Sequence, residues 1–554
     1  MKNGCKQFIG TKDIQIKKSE CLAVNQDQIP PETRDAFTPI DGAINTLRAM
    51  SFKAPKTDLK TPSKPSTWRL ASGPASFLAI WAMGQCGWWP EHIATACAIA
   101  AWVILWWVLE SVPIAVASLL PVILVPTFGL AHVGDVSAHY GSKYVFLFMG
   151  GFLVAIAMEK WKLHRRIALG ILLRSGVSPR RILGGFMLAT FLLSMWLSNT
   201  ATTLMMLPIA LSIASQMPQL GRMGTTALLL GTAYAANIGG TATLVGTPPN
   251  TAMAGLVEQQ FKLSLPFLEW MAMALPFACV LMVAVFLVLC QTLRNAQGSN
   301  QIQGIDTDQN RRLDTIELEW NALGVVTSAE RRVGLVFMAL ALLWVSRRPL
   351  VALTGLPLDD TAISMAAGLS LFLIPSGVRE NDKAASSPLM SWSDGKQLPW
   401  DILLLFGGGL ALAGTLKNAG VLDELATVLS SMGNSGGTFV VVALATLILF
   451  GLFATELMSN LALTVVAVPA AGAFALELGI PVLQAVVPLT LVSSCAFMLP
   501  MATPPNAIVF GSGKIRMADM VRIGFVCNLI AAALAIFWAF FILPAWAQWA
   551  LGPV

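Results

Sequence analysis

The stretch "WLSNTATTLMMLP" over residues 196–208 returns later in the chain as "MSNLALTVVAVP" over residues 458–469. Both copies carry a Ser-Asn pair within strongly apolar sequence, and in both a proline follows the serine by ten residues. The chain around them has 554 residues, of which 55% are hydrophobic and 12% are charged. Soluble domains carry about 25% charged residues. The composition therefore predicts a polytopic membrane protein in which both Ser-Asn pairs lie at membrane depth.

Apolar stretches long enough to cross a bilayer, about 20 residues each, recur from about Leu70 to the C-terminus. They predict about eleven transmembrane helices, near residues 71–89, 93–109, 112–130, 144–163, 226–256, 264–291, 333–346, 361–375, 400–430, 484–511 and 520–545. The eight cysteines form no CxxC pair and the four histidines no HExxH motif. We therefore expect neither a disulfide framework nor a transition-metal site.

Basic residues indicate which side of the membrane each segment occupies. Residues 1–70 hold twelve Lys and Arg against seven Asp and Glu, and they lack the apolar core of a secretory signal. We expect a mostly disordered cytoplasmic tail here, in a chain embedded in the lipid of the cell membrane (plasma or inner membrane), because Lys and Arg concentrate on the cytoplasmic side. The clusters "EKWKLHRR" and "SPRR" and the polar linker 292–332 then fall on the same side. Arg347 and Arg348 fall on the outer side and fit this topology poorly.

Three landmarks recur in the same order and reveal an internal repeat. "FLFMGGFLVA" from Phe146 resembles "LLLFGGGLAL" from Leu403, and the Ser-Asn stretches recur at an offset of 261 residues. "GTPPN" from Gly246 recurs as "ATPPN" from Ala502 at an offset of 256 residues. Five predicted crossings separate the two Gly-rich landmarks, and this odd number inverts the second half relative to the first. Inverted repeats with a site near the bilayer midplane are typical of secondary transporters.

Each Ser-Asn pair lies near the middle of an apolar stretch, 181–215 or 437–475, that is too long for one span and about right for two half-spans. We expect two re-entrant helical hairpins, one in each predicted half, 71–291 and 333–550. The "TPPN" motifs should also break helices, because proline lacks an N–H and disfavours helix in the residue before it. Backbone opened at this depth must be buried in protein or line a cavity. The predicted fold class is an all-α polytopic membrane protein, with about eleven transmembrane helices and two re-entrant hairpins in an inverted repeat.

A hydroxyl precedes each Ser-Asn pair by one helical turn, Ser194 before Ser198 and Thr455 before Ser459. A spacing of four residues places the earlier hydroxyl and the hydroxyl of the Ser-Asn pair on one helix face. Together with the Asn amide oxygen and the freed loop carbonyls, they offer four or more neutral oxygens. Such a set suits a weakly held monovalent cation such as sodium, whereas a calcium or magnesium site would usually show carboxylates. Helix N-termini at the same tips would attract an anion.

These motifs resemble those of the divalent anion:sodium symporter family, whose members carry di- and tricarboxylates or sulfate. The resemblance covers about residues 71–550 and rests on the combination of two Ser-Asn tips with two Pro-Pro loops. It implies eleven spans plus two re-entrant hairpins, a homodimer built on a scaffold part, and a mobile transport part that moves like an elevator. It further implies sodium-coupled symport of a small divalent anion, with sodium as the coupling ion, no other cofactor and no enzymatic activity.

The resemblance also assigns roles to individual residues. The first sodium site would comprise Ser194, Ser198, Asn199 and the carbonyl of Gly246. The second would comprise Thr455, the backbone of Met458, Asn460 and the backbone of Ala502. The substrate carboxylates would contact Ser198, Asn199, Thr200, Ser459, Asn460, Thr503 and Pro504. Because bound sodium and the hairpin N-termini supply the positive potential, no Arg or Lys is needed, and sodium must bind first.

Two residues leave questions open. Leu461 stands where Thr200 stands in the first tip, so one hydroxyl donor is lost and the site gains apolar bulk. The identity of the substrate therefore stays open, and an anion that is shorter, differently shaped or less hydroxylated than a typical C4 dicarboxylate is one alternative. Glu456, next to Thr455, is an ionisable group at membrane depth. It either serves transport, through a proton, sodium affinity or a partner residue, or makes a structural hydrogen bond to a neighbouring loop.

Other functions remain as alternatives. Sodium-independent exchange of dicarboxylates would use the same tips with degraded cation sites, and the hydroxyls of Ser194 and Thr455 favour symport instead. A membrane hydrolase would need a nucleophile with a base or metal, and the sequence has no His or paired Asp/Glu near either tip. A channel would need a continuous pore, against which two occluding tips argue. "GSGK" from Gly511 lacks the earlier Gly and the final Ser/Thr of a P-loop, so we expect no nucleotide or nucleic-acid partner. The coupling ion (sodium, lithium or proton), the stoichiometry and the direction of transport stay open.

Overall fold

The computed structural model describes residues 67–176, 178–217, 220–297, 316–377, 387–421, 423–424 and 437–546. The predicted tail lies outside these ranges up to residue 66, and so does the part of the predicted linker over residues 298–315. Within the described ranges the chain is predominantly α-helical. This confirms the all-α class that the apolar stretches predicted.

The helices before the first Ser-Asn pair begin where the sequence supplies a start signal. Pro90 and Pro113 occupy the positions just before two of them, and Ser142 caps a third by accepting a hydrogen bond from the backbone N–H of Val145. These helices are α1 Thr67–Gln85, α2 Glu91–Val108, α3 Ile114–Ala117, α4 Leu120–Thr127, α5 Val133–Ala138, α6 Lys143–Lys160 and α7 Leu163–Ser175.

The first Ser-Asn pair separates two helices that pack against each other. The first of them starts with Pro179 after the cap Ser178, whose side chain accepts from Arg181, a common arrangement at helix N-termini. The first "TPPN" motif interrupts the chain again, between Thr241 and Pro248. The helices of this region are α8 Pro179–Ser194, α9 Asn199–Gln216, α10 Gly221–Thr241, α11 Pro248–Phe261 and α12 Phe267–Gln297.

The second half repeats this pattern of breaks. The second Ser-Asn pair lies between helices that end at Ala454 and begin at Asn460, and the second "TPPN" motif follows a break after Ser493. After a short helix over residues 316–322, the helices are α13 Ser328–Thr354, α14 Asp360–Leu373, α15 Trp392–Gly395, α16 Trp400–Asn418, α17 Gly437–Ala454, α18 Asn460–Glu477, α19 Val482–Ser493, α20 Pro504–Gly511 and α21 Met517–Phe537.

Eight helices of the described ranges are long and apolar enough to cross a bilayer. Their presence makes the chain a multi-pass membrane protein, while the figure of about eleven spans stays a prediction. The two arginines that fitted the charge pattern poorly both have acidic partners. Arg347 Nε lies 3.0 Å from Asp360 Oδ1, and Arg348 forms an ion pair with Glu269. Pairing therefore neutralises the charge that seemed misplaced in the sequence.

The two halves interlock crosswise around their breaks. Helix α9, which begins at the first Ser-Asn pair, packs against α20, which begins at the second "TPPN" motif. In the same way α18, which begins at the second Ser-Asn pair, packs against α11. Two buried side chains tie the halves together directly: Tyr234 Oη donates to the carbonyl of Phe497 at 2.7 Å, and Asn237 Nδ2 donates to Thr503 Oγ1 at 3.0 Å. Each Ser-Asn tip thus lies in a helix that contacts the broken segment of the opposite half.

Candidate ion and substrate site

The first hairpin tip is held by the buried hydroxyl of Ser194. Its Oγ lies 2.7 Å from Asn199 Oδ1 and 2.8 Å from the carbonyl of Ala236 in helix α10. A hydroxyl carries one proton and two acceptor lone pairs, so one proton serves both contacts and the lone pairs stay available. Ser198 caps helix α9 by accepting a hydrogen bond from the backbone N–H of Ala201 at 3.2 Å. The first tip therefore holds the Ser194 hydroxyl next to the Asn199 amide.

The second tip repeats this contact with a different hydroxyl. Thr455 Oγ1 lies 2.6 Å from Asn460 Oδ1 and 2.5 Å from the carbonyl of Ser493 in helix α19. The offset of 261 residues that aligns the two Ser-Asn pairs also aligns Thr455 with Ser194. Unlike its counterpart in the first tip, Ser459 begins its helix without a side-chain capping bond. The same hydroxyl–amide–carbonyl arrangement therefore occurs in both halves.

Glycines bring the first broken segment against the first tip. A Cβ atom on Gly246 would lie 2.5 Å from the carbonyl oxygen of Gly240, and a Cβ on Gly240 would collide with the side chain of Asn199. Only a residue without a side chain allows this approach of the backbone. Gly240 therefore packs between Asn199 and Gly246, and Asn199 in turn contacts Ser194. These contacts connect three of the four residues assigned to the first sodium site, and Ser198 bonds within its own helix.

The second set of predicted ligands is only partly joined by direct contacts. Thr455 and Asn460 are hydrogen-bonded, as described above. Within the described part of the chain, the backbone N–H groups of Met458 and Ala502 bond to Ala454 and Leu499 in their own segments, and not to each other. The second sodium set therefore remains a proposal that combines one observed pair with two backbone positions.

The residues assigned to sodium alone are mostly less exposed than the residues with a substrate role. Most of the residues with a sodium role alone are buried, and Met458 is half-buried. The tip residues assigned to substrate are half-buried, and Pro504 is exposed; the half-buried ones are Ser198, Asn199, Thr200, Ser459 and Asn460. This layering is what a cation beneath an anion would require.

Thr503 departs from this layering, because it is 3% exposed. Its Oγ1 accepts from Asn237 Nδ2 and from the backbone N–H of Asn506. Both acceptor positions of the hydroxyl are then used, and only its proton remains for a bound anion. Leu461, in the position of Thr200, is also buried, with 5% of its surface exposed.

Glu456 makes structural hydrogen bonds to a neighbouring loop. Its two carboxylate oxygens accept from the backbone N–H groups of Met498 and Leu499, both at 2.9 Å, and from Asn528 Nδ2 at 2.7 Å. The carboxylate thus holds the loop that follows helix α19 against the second hairpin tip. This geometry accounts for an ionisable residue that is 3% exposed, and it favours the structural one of the two roles open from the sequence.

The sequence reasoning missed three buried asparagines that support the site. Asn237 joins the two halves through Thr503, and the other two, Asn250 and Asn506, hold the broken segments. A signal existed for the last two, because both end a "TPPN" motif and recur at the offset of 256 residues. Within the described ranges, no group of three or more His, Cys, Asp or Glu could hold a metal ion. The contacts that the two tips do show involve hydroxyl and amide oxygens, which are neutral.

Comparison with known proteins gives a consistent result. Residues 64–549 match the family described as sodium:sulfate symporter transmembrane region. The sodium-dependent dicarboxylate transporter SdcS of Staphylococcus saprophyticus is 34% identical over 519 residues, which are 91% of this chain and 96% of that protein. SdcS of Staphylococcus aureus (strain USA300) is 36% identical over 459 residues, 81% of this chain and 85% of that protein.

Among solved structures, the crystal structure of the Alcanivorax borkumensis YdaH transporter, reported to have an unusual topology, covers 76% of this chain and 88% of its own. Its identity is 13% and its TM-score is 0.48. A likeness at this level supports no inference, so the assignment to a family comes from the sequence matches.

Proposed function

Because the chain belongs to the sodium:sulfate symporter family, that is, the divalent anion:sodium symporters, it is a membrane transporter and not an enzyme, and we propose that it couples the movement of a small dicarboxylate to that of sodium. The relatives named sodium-dependent dicarboxylate transporters support this substrate class. Sodium is the coupling ion in this proposal.

The observation that carries the proposal is the hydroxyl–asparagine contact made once in each half, by Ser194 with Asn199 and by Thr455 with Asn460. Each contact presents neutral oxygens at a chain break, which suits a monovalent cation. The first sodium set is Ser194, Ser198, Asn199 and Gly246, and the second is Thr455, Met458, Asn460 and Ala502.

The substrate dianion then binds above the cations, at Ser198, Asn199, Thr200, Ser459, Asn460, Thr503 and Pro504. Removing two carboxylates from water is costly unless opposite charge lies close by. A sodium ion about 4 Å from a carboxylate contributes about 4 kcal/mol at an effective dielectric constant of about 20. Helices α9, α11, α18 and α20 all begin at these breaks, and their N-termini add partial positive charge. Sodium therefore binds first, and this order couples the two fluxes.

For the transport cycle, we assign the movement to the two hairpins and the two broken helices, which pack crosswise. They move as one body in an elevator-type cycle against a scaffold that forms a homodimer. The chain lies in the cell membrane with its N-terminus in the cytoplasm, with first and second halves at 71–291 and 333–550. The hairpins at 181–215 and 437–475 enter the membrane and return.

Uptake of labelled succinate, citrate, tartrate and sulfate into proteoliposomes tests the proposal, with and without an inward sodium gradient. We expect the gradient to drive accumulation of a dicarboxylate above the external concentration. Uptake that ignores sodium but accelerates when dianion is loaded inside would establish exchange in place of symport.

A further inference from the structure

Asn250 and Asn506 end the two "TPPN" motifs, and the proposed ligand sets include neither of them. Both side chains are fully buried. Asn250 Nδ2 donates to the carbonyl of Gly240 at 3.0 Å and to that of Thr243 at 2.8 Å, with a longer contact to Thr241. One amide therefore holds several of the carbonyls that the break between α10 and α11 leaves without helical partners.

The second half makes the same two bonds. Asn506 Nδ2 donates to the carbonyls of Ala496 at 2.9 Å and Leu499 at 3.1 Å. The offset of 256 residues that aligns the two asparagines also aligns Gly240 with Ala496 and Thr243 with Leu499. Equivalent atoms are thus held in both broken segments, although the surrounding residues differ.

The side-chain oxygens of Asn250 and Asn506 indicate that fold stability alone does not explain why asparagine occupies these two positions. Within the described part of the chain, Asn250 Oδ1 and Asn506 Oδ1 are buried and have no hydrogen-bond partner. A buried unsatisfied acceptor costs about 1–3 kcal/mol, and such groups in native structures call for a specific explanation. In both halves, the asparagine thus keeps an unsatisfied oxygen while its Nδ2 group binds the loop carbonyls.

Resting on the proposed sodium symport, we propose that Asn250 and Asn506 are positioning residues that set the sodium affinity of the two sites. In the first half, Asn250 fixes Gly240, which packs between Asn199 and Gly246. In the second half, Asn506 fixes the carbonyl of Leu499, whose backbone N–H donates to Glu456 beside Thr455. Each amide thereby holds the loop backbone next to the proposed sodium ligands of its hairpin tip, without contacting the ion itself.

The test uses Asn250→Ser and Asn506→Ser in the full chain, since serine keeps one hydroxyl donor and creates a smaller void than alanine. Thr232→Val is the matched control, because Thr232 is buried in helix α10 and, among the described residues, its hydroxyl bonds only within that helix, to the carbonyl of Leu228 at 2.9 Å. The melting temperature of each purified protein is measured against sodium concentration at constant ionic strength with potassium. Sodium that binds the folded state raises this temperature.

We expect the sodium concentration at half-maximal stabilisation to rise about tenfold in both asparagine variants, which corresponds to about 1.4 kcal/mol, and to stay unchanged in Thr232→Val. A purely structural role would lower the melting temperature in potassium and leave the sodium midpoint within about twofold of the wild type. That result would overturn the positioning role. Should Asn250→Ser fail to fold, Asn506→Ser decides by the same criterion. A wild-type protein without any sodium response would instead refute the proposed function, and this inference with it.

Discussion

Replacing Ser194 by alanine removes the hydroxyl that joins the first hairpin tip to helix α10. The side chain is fully buried, and its Oγ contacts Asn199 Oδ1 at 2.7 Å and the Ala236 carbonyl at 2.8 Å. Alanine creates almost no void, so the change acts on hydrogen bonding and on the proposed sodium ligand. The companion change in the second half is Thr455→Val, which preserves the shape of the side chain.

The size of the effect follows from the single proton of the hydroxyl. One hydrogen bond contributes about 0.5–1.5 kcal/mol net, and leaving a buried acceptor without a donor costs about 1–3 kcal/mol. The proposed sodium site also loses one neutral oxygen. We therefore expect sodium binding to weaken by about 1.5–3 kcal/mol, which raises the sodium concentration for half-maximal uptake about 10- to 150-fold.

Uptake of labelled succinate into proteoliposomes at increasing sodium concentration measures this shift. The control is Thr190→Val, one helical turn earlier in α8, where the buried hydroxyl bonds only to the Phe186 carbonyl, at 2.7 Å, within the part of the chain that the structure describes. Ser194→Ala and Thr455→Val should both shift the sodium curve while the control keeps it. An unchanged sodium midpoint in Ser194→Ala and Thr455→Val, with normal folding, would refute the assignment of these hydroxyls to sodium.

Three further substitutions test the roles of Glu456, Leu461 and Asp394. Glu456→Gln places an amide N–H against a backbone donor, so we expect the free energy of unfolding to fall by about 2–3 kcal/mol. The pH profile of uptake should stay like that of the wild type, and a shifted profile would indicate that Glu456 binds a proton during transport. Leu461→Thr restores the missing hydroxyl and should lower the KM for succinate about 2- to 10-fold, as one added hydrogen bond allows; an unchanged KM would place this side chain outside the substrate site. Burial raises the pKa of Asp394, but hydrogen bonds from Lys160 and Ser391 outweigh burial and hold the pKa below 3.8. The resulting stabilisation is present above the unfolded-state pKa and is lost as pH falls through the folded-state pKa. Asp394→Asn should therefore lower the melting temperature by the same amount from neutral pH down to about pH 5, and a difference that fades in this range would contradict the pairing.

The sequence predicted the chain breaks well, because their causes are local. Ser and Asn side chains compete with the helix for backbone hydrogen bonds, and a proline lacks an N–H and disfavours helix in the residue before it. The structure accordingly ends helices at Ser194 and Ala454 and begins new ones at Pro248 and Pro504. Pattern reasoning succeeds here since the polar residues and prolines stand out against an apolar background.

The partners of the site residues could not be predicted, because they come from distant parts of the chain. The Ala236 and Ser493 carbonyls that hold the two hydroxyls lie 42 and 38 residues away from them. The ion pair of Arg347 with Asp360 likewise depends on how two helices pack, and single-sequence charge counting missed it. The asparagines of the "TPPN" motifs were visible as a repeat, yet their role needed the positions of the loop carbonyls.

In the proposed transporter, the two hairpin tips form one site for sodium and a dianion, and Asn199 and Asn460 are the residues shared by both ligands. The most direct test is sodium-driven uptake of labelled succinate by Asn199→Ala and Asn460→Ala, each shown by gel filtration and melting temperature to be folded. We expect uptake to fall to the level of empty liposomes in both variants. Uptake at the wild-type rate in either variant would contradict the shared site.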